Sequence, residues 1–580
     1  MRATFAGLNT MVRGIMANQL SLDTTGHNIT NAGTEGYSRQ VVTLATTYAE
    51  ERPSLHGTVI VGTGVDALAV NRARNVYADI QYRNENPTQQ YYKTLSVNYD
   101  KLETIFNDSQ NLGIEEAINK FYQTWVDVST MASNSASRTQ VIEQGRELSD
   151  RIQSATAELQ EQIRSEYKDI DSELKQIDDL LEGIRAFNNQ ILSQEVTGAQ
   201  ANDIRDRRDL LVDQLSDYLN IDVHENEFGA YQINSGGVTL VNAQARAHLV
   251  MSDGVSSSTY GVDYGVTDYN IKVKESDVVF IPQNGIIKAR LDAIAENKDY
   301  IDKLANIASF MLSTFNDQHK QGWDLDGHSK TDSSGNTVPD TINFFGQTDL
   351  KYEYRYDPDT KANYLYRYDS PTSGELLSGV RIIDALEVNV KFSENRGDRY
   401  IAAATSKEYV ENAAGSGSWQ DIAWNNRTGD GTNAVYMSEL FNIPMETILS
   451  DDKANALVYA NALLRDKDGN YLDEDGNVTT DPNKYVYATP MTKLSINAYY
   501  EQSMSYLGIN AYSVDVNYEA MQNVITQIQN WRDSMAGVDW NEELTKMIQF
   551  QKGFGSCSRC LNAMDEMLDR LVNSTGVVGR

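Results

Sequence analysis

The chain has 580 residues, 40% of them apolar, which is more than one compact core holds, so three or four domains are expected. Its formal charge is −32, from 82 acidic against 50 basic side chains, and this repels nucleic acid and anionic membrane surfaces. Two cysteines do not make a disulfide framework, and no apolar run approaches the ~18 residues of a membrane span.

Arg2 and Arg13 interrupt the opening stretch, and no small-residue cleavage site follows, so it is not read as a Sec signal peptide. A first helix is expected from about Thr4 to Thr30, with Phe5, Leu8, Val12, Ile15 and Leu22 as one apolar stripe. Asn31-Ala-Gly33 and Gly36 stop it, and strands are expected over 38–47 and 58–70. From about Arg72 to Asn220 the pattern is helical. Ile163, Ile170, Ile177, Ile184 and Ile191 recur every seven residues, with Tyr167, Leu174 and Leu181 four after the first three, which is a heptad seam for a bundle core. A second helix runs from Asp203 to Leu219, a β-rich stretch from 221 to 280, and a third helix from Gly285 to Asn316.

From about Gln321 to Ile443 Gly, Asp, Asn, Thr and Tyr rise and helical periodicity fades, which suggests an inserted β domain. Helix is expected again near Asp451, over 493–507, and from 514 to 572 with a break near Gly537. The Asp466 and Asp473 Asp-Gly-Asn segments suit hairpin turns better than calcium loops, because the Gly and Glu positions of an EF-hand are not met. The fold class is therefore multidomain α+β: a terminal α-helical coiled coil, an elongated helical bundle with β elements, and an inserted mostly-β outer domain. The expected division is 1–71 plus 537–580, 72–320 plus 451–536, and 321–450.

Two segments at the ends carry a family resemblance. Asn28-Ile-Thr-Asn31-Ala-Gly-Thr-Glu-Gly36-Tyr37-Ser38-Arg39-Gln40 resembles the N-terminal signature of bacterial flagellar axial proteins, and Tyr-Ser-Arg-Gln in particular resembles the hook-associated FlgK type. Gly537-Val-Asp-Trp-Asn-Glu-Glu-Leu544, continuing through Gln551 to Met564 and Leu568, is similar to that family's C-terminal helix. Inside the chain, Asp203–Leu215 and Phe315–Gly322 agree with it. Glu35 stands where the signature commonly has Pro, and Cys557 and Cys560 replace small residues.

The resemblance implies a structural subunit of the hook–filament junction, exported unfolded through the flagellar type III apparatus and located extracellularly in the flagellum. Its implied partners are further copies of itself, hook protein, a second junction protein on the filament side, and a cytosolic export chaperone at the C-terminal helix. It implies neither nucleic acid nor membrane insertion, and no cofactor. The expected assembly interface is Phe5, Leu8, Val12, Ile15, Leu22, Asn28, Asn31, Gly36, Tyr37, Ser38, Arg39, Gln40, Leu544, Met547, Gln551, Leu561, Met564, Leu568 and Leu571.

Catalysis has no candidate: the six histidines are scattered, no GxSxG occurs, and His224-Glu225 lacks the second His of a zincin motif. The Cys557–Cys560 pair lies on a helix without further ligands and suits packing, with a bond between neighbouring subunits as the sharper alternative. In the middle, Tyr352, Tyr354 and Tyr356 alternate, then Tyr364, Tyr366 and Tyr368. A hairpin is expected to stack both sets into one tyrosine surface, packed on a core or free to bind glycan or a neighbouring subunit. The rival readings are hook protein or flagellin within the class, and a surface adhesin carried by residues 325–443 outside it.

Overall fold

The computed structural model describes residues 6–54, 57–106, 113–196, 198, 200–348, 350–358, 362–370, 373–411, 417–450, 459, 461–481, 484–488 and 490–573. Phe5, the tail Ser574–Arg580 and the helix expected to resume near Asp451 lie outside the described residues.

Helix α1 (Ala6–Asn31) is followed by strands β1 (Gln40–Thr46), β2 (Glu50–Ser54), β3 (Gly57–Val61) and β4 (Val65–Arg72). β1 pairs antiparallel with β4, and β2 with β3. The strand expected over 58–70 is thus two strands. Gly64 takes φ +114 and lies against Thr10 of α1, so the chain turns there, and the Thr47 amide bonds to the Gly64 carbonyl at 3.1 Å.

Next come α2 (Val76–Ile105), α3 (Ile114–Thr130), α4 (Ser135–Glu195) and α5 (Asn202–Tyr218). The 61 residues of α4 start at Asn134, whose side chain caps the Ala136 amide. All five heptad isoleucines, with Tyr167, Leu174 and Leu181, are buried where α4 packs on α3, α5 and α6 (Ile286–Phe310). Each fully buried Ile or Leu contributes about 1.5–3 kcal/mol, so this seam is a main prop of the fold. Between α5 and α6 lies an antiparallel sheet of β5 (Asp222–Glu225), β6 (Tyr231–Ser235), β7 (Val238–Asn242) and β8 (Ala245–Arg246), with smaller strand pairs after it.

Helix α6 runs through one π turn, Met311–Phe315, into α7 (Asn316–Lys320). Four consecutive buried side chains there hold the inserted segment. Asn316 accepts from the Phe344 and Phe345 amides, both at 2.9 Å. Asp317 accepts from the Asn461 amide at 2.8 Å, and Gln318 bonds Asn433 and Tyr459. His319 Nε2 accepts from the Ala402 amide at 3.0 Å, which leaves Nδ1–H to donate to the Ile342 carbonyl.

Residues 321–450 contain short strands, as expected, but also α8 (Val380–Asp384), α9 (Thr432–Asn442) and α10 (Met445–Ser450). Phe344, Phe345 and Phe441 meet Phe121, Trp125 and Phe315 edge-on or tilted, so the inserted segment shares its aromatic core with the helical part. Asp466 and Asp473 each cap a tight turn, accepting from backbone amides two and four residues on. The chain closes with α11 (Ile496–Ala536) and α12 (Trp540–Asn573). α11 is continuous through 508–513, where a gap was expected, and lies along α2.

Candidate assembly interface

The two ends of the chain meet as one helix pair, α1 against α12. The buried side of α1 is small and polar: Ala17, Ser21, Thr24, Thr25 and Asn28, at spacings that keep one face inward. A Cβ at Gly14 would lie 3.1 Å from Cys557 Sγ, and one at Gly553 would lie 2.5 Å from Asn18 Oδ1. Small residues therefore set the separation of the two helices. Thr24 and Thr25 satisfy their hydroxyls on the Leu20 and Ser21 carbonyls, at 2.9 and 2.8 Å, which makes a polar seam tolerable.

Leu8, Val12, Ile15 and Leu22 sit half-buried beside this seam, while Met16 and Leu20 are exposed. On α12, Met547, Leu561, Met564 and Leu568 are half-buried, whereas Leu544, Gln551 and Leu571 are exposed, with Trp540, Ile548, Phe554 and Met567. The apolar stripe is thus only partly covered within the chain. The paired helices still present large apolar side chains to their surroundings, which a lone soluble helix pair rarely does.

The corner before α12 is built by two residues. Gly537 ends α11, where any Cβ would fall 2.4 Å from the Asp533 carbonyl oxygen. Asp539 then caps α12, its Oδ1 accepting from the Asn541 and Glu542 amides at 2.7 and 3.2 Å.

The segment 28–40 turns out to be a joint inside the chain. Asn28 donates to the Gln40 carbonyl and to Glu543 of α12, both at 2.9 Å, and accepts from the Gln40 amide and the Tyr37 hydroxyl. Burial first, then the charges of Asp203, Asp206 and Glu543, push the Tyr37 phenol up, so it stays protonated and donates. The Ser38 amide bonds Asp206 at 2.9 Å, the Arg39 amide bonds the Ala536 carbonyl at 2.9 Å, and Gln40 donates to Asp203 at 2.7 Å. Asn31 folds back on the His27 carbonyl at 3.0 Å. Gly36 takes φ +75 with Leu210 against it, a place only glycine fills. Asn28, Ser38 and Gln40, expected at an interface between subunits, are buried, and their polar groups are committed to α5 and α12 of the same chain.

Beneath the joint, α5 carries a ladder of carboxylates: Asp203, Asp206, Asp209, Asp213 and Asp217, one per turn on one face. Asp203 meets His27 and Gln40. Asp206 meets Ser38 and, at 2.9 Å, Arg72. Asp209 accepts from Arg72 at 2.7 Å, Arg74 at 2.9 Å, Arg83 at 3.4 Å and the Tyr231 hydroxyl at 2.7 Å. Asp213 holds Arg83 at 2.8 Å and Arg532 of α11. Asp217 accepts from Asn86 at 2.6 Å. Burial alone would raise the Asp209 carboxyl, but Arg74, Arg83 and Arg72 outweigh it and hold it well below the usual range. At Asp206 burial wins, and the carboxyl is pushed up despite the Ser38 amide and Arg72. The ladder ties five separate parts of the chain to one helix.

This geometry can be set beside known proteins. Residues 99–333 match the family described as flagellar hook-associated protein FlgK helical domain, and residues 532–574 match the flagellar basal body rod FlgEFG protein C-terminal family. The chain is 25% identical over 594 residues to flagellar hook-associated protein 1 of Bacillus subtilis (strain 168), spanning 100% of both. The chain resembles the flagellar hook-associated protein 1 family. Flagellar hook-associated protein 1 of Escherichia coli (strain K12) is 23% identical over 580 residues, 98% of this chain and 99% of that one. The flagellar hook junction protein FlgK from Burkholderia pseudomallei shares the fold, with a TM-score of 0.50 at 14% identity, over 78% of this chain and all of that one. The relatives it matches over full length are flagellar hook-associated proteins.

Set against the family resemblance, the tyrosine-rich hairpin is a local feature, and its arrangement corrects the expected single surface. Strand Lys351–Asp357 pairs with Ala362–Ser370 so that Tyr352 faces Arg367 and Tyr354 faces Leu365, while Tyr364 faces Arg355 and Tyr366 faces Glu353. The register puts the two tyrosine sets on opposite faces. Tyr352 and Tyr354 are buried, with the Tyr354 hydroxyl 2.5 Å from Ser309 Oγ, and Tyr356 is half-buried. Tyr364, Tyr366 and Tyr368 are half-buried on the other face, where Arg355 lies over the Tyr368 ring. Sequence reasoning missed the carboxylate ladder altogether. Its signal was legible as acids at 203, 206, 209, 213 and 217, but such a row ordinarily reads as a solvated helix face, and its arginine partners lie far away in the chain.

Proposed function

We propose that the chain is a non-enzymatic subunit that joins hook to filament, polymerising through its terminal helices into a helical tube after export through the flagellar type III apparatus. One observation carries the reading: α1 and α12 close on a small-residue seam and leave their large apolar side chains outside it. Such a surface lowers its free energy only when neighbouring subunits cover it. The joint at 28–40 and the α5 ladder fix that helix pair to the body, so force on the tube is transmitted to the rest of the subunit. In this reading residues 1–71 with 537–580 line the tube, 72–320 with 451–536 form its wall, and 321–450 lie outside. The hook protein, a second junction protein on the filament side and a chaperone that shields α12 before export complete the set of partners.

Complementation in the native bacterium tests this. A strain lacking the gene receives the full chain, or the chain without residues 1–40 or 537–580, and secreted flagellin and filament length are measured. Filaments restored only by the full chain, with flagellin spilled by both truncations, is the expected result. Filaments of normal length in the strain lacking the chain would rule out the junction role.

A further inference from the structure

A cleft of about 510 Å³ opens beside the joint, between α1, the strand pair β1–β4 and the start of α5. Asp23, His27, Gln40, Gln200, Asn202 and Asp203 line it, and no lysine or arginine does. Elsewhere on the α5 ladder, Asp206, Asp209 and Asp213 each hold at least one arginine, and Asp217 is held by Asn86 and Gln90. Asp203 holds none. Its partners are His27 at 3.2 Å and Gln40 at 2.7 Å, and 55% of its side chain is exposed. Asp23 of α1 is exposed and makes no hydrogen bond or ion pair among the described residues.

Asn202 adds an independent signal, because it is 7% exposed and only half satisfied. Its Nδ2 donates to the Val70 carbonyl at 2.8 Å and to Gln40 Oε1 at 3.4 Å, so the amide cannot be turned over without losing both bonds. Its Oδ1 has no hydrogen-bond partner among the described residues. A buried acceptor without a donor is destabilising, and buried oxygens ordinarily find one.

The cleft therefore gathers acceptors and lacks a donor of positive charge. Among the described residues no group of three His, Cys, Asp or Glu could hold a metal ion, so the complement is an organic cation. A lysine ammonium is a compact point charge with three donors. A guanidinium is planar, stays charged and spreads five N–H donors in a fork, so it can serve acceptors from separate elements at once. The chain already uses arginine in this way one turn further along α5, where Arg72 bridges Asp206 and Asp209. The cleft also lies beside α1, the helix at which neighbouring subunits approach in the polymer proposed above. We infer that the cleft receives an arginine side chain of a neighbouring subunit, its guanidinium held by Asp23 and Asp203. The inference rests on that polymer for the source of the arginine, and on the cleft itself for the chemistry.

Two measurements on the full chain test it. The first titrates Nα-acetyl-arginine amide, with the uncharged Nα-acetyl-citrulline amide as control, and follows the ring signals of the six histidines by NMR. The expected result is a saturable shift of the His27 signal, assigned with His27→Gln, for the arginine probe alone. Asp23→Asn and Asp203→Asn each weaken it about tenfold or more. Equal responses to the two probes, no saturable shift at His27, or an unchanged response in the double variant overturns the site. In the second, p-benzoylphenylalanine replaces Gln200 at the exposed rim, motile cells are irradiated, and purified hook–filament particles are mapped by peptide mass spectrometry. Capture of another subunit within a few residues of an arginine, lost in the double variant, is expected. Capture away from any arginine, capture that persists in the double variant, or no capture from particles that contain the chain overturns the docking. Particles that lack the chain, read by antibody on the same samples, overturn the polymer reading and with it the named occupant.

Discussion

Replacing Asp209 by Asn keeps the shape of the side chain and removes the charge on which α5 is anchored. Three guanidiniums and one phenol bond this carboxylate, which is buried. Removing one partner from a buried charge network costs about 3–5 kcal/mol. The structure places the loss at the low end. Arg72 keeps Asp206 at 2.9 Å, Arg74 keeps Asp79 at 2.6 Å, and Arg83 keeps Asp213 at 2.8 Å, so none of the three is left alone. A loss of about 3 kcal/mol corresponds to amide exchange in α5 about a hundredfold faster, if opening is local. Asp203→Asn is the control: its pair with His27 is half-exposed at 3.2 Å, and such pairs contribute about 0–1 kcal/mol. The assay is hydrogen exchange by mass spectrometry on peptides covering 202–218, with circular dichroism to verify folding. The pH dependence gives a second reading. A carboxyl held below its ordinary value contributes stability that is present above about pH 4 and is lost as pH falls below it, so the Asn variant has a shallower acid limb. Asp206, pushed up by burial, acts in the opposite direction, so the difference between parent and variant is what is read. Protection of α5 unchanged within about twofold in Asp209→Asn would refute the claim that the ladder anchors the joint.

Three further outcomes are expected. Tyr354→Ala costs about 3–5 kcal/mol because a buried ring is lost, whereas Tyr366→Ala on the opposite face costs less than about 1 kcal/mol; equal shifts in unfolding midpoint would contradict the observed register. Gly14→Val forces side-chain atoms against Cys557 and weakens the α1–α12 pair by about 1–3 kcal/mol, and adding Cys557→Ala recovers part of it; exchange in 540–573 reads both, and no change in the single variant would mean the helices do not pack there. Burial pushes Asp317 up to about 7 and His319 down to about 3. Asp317 therefore contributes stability that is full below about pH 4 and is lost as pH rises through 7, while the part from His319 is full above about pH 6.5 and is lost as pH falls toward 3. Asp317→Asn should gain on the parent between about pH 5 and pH 8 in thermal midpoint, and a constant difference would show that Asp317 is not buried as described.

What the sequence determined by itself was everything carried by local period and local chemistry. The isoleucine heptad at 163–191 required a lengthwise helix seam, because a seven-residue repeat has only one place to bury itself. Gly537 marked the break before the last helix, and the Asp466 and Asp473 segments marked turns, since those residue types answer to their own backbone. The motif 28–40 pointed to the family that the chain resembles, and the fold class followed from the alternation of helical and β textures.

The tertiary structure decided which face of each element looks inward. α1 buries Ala17, Ser21 and Asn28 rather than its leucines, because close approach to Gly553 and Cys557 needs small residues, and that leaves Leu8 and Leu22 half-buried. The tyrosine sets separated onto two faces because a hairpin's register, set at its turn, shifts every side chain at once. The five aspartates of α5 became an anchor rather than a solvated face only because Arg72, Arg74, Arg83 and Arg532 arrive from elsewhere in the chain. A charge is worth little at a surface and much in a buried network, and the sequence records the charge without recording which of the two it will meet.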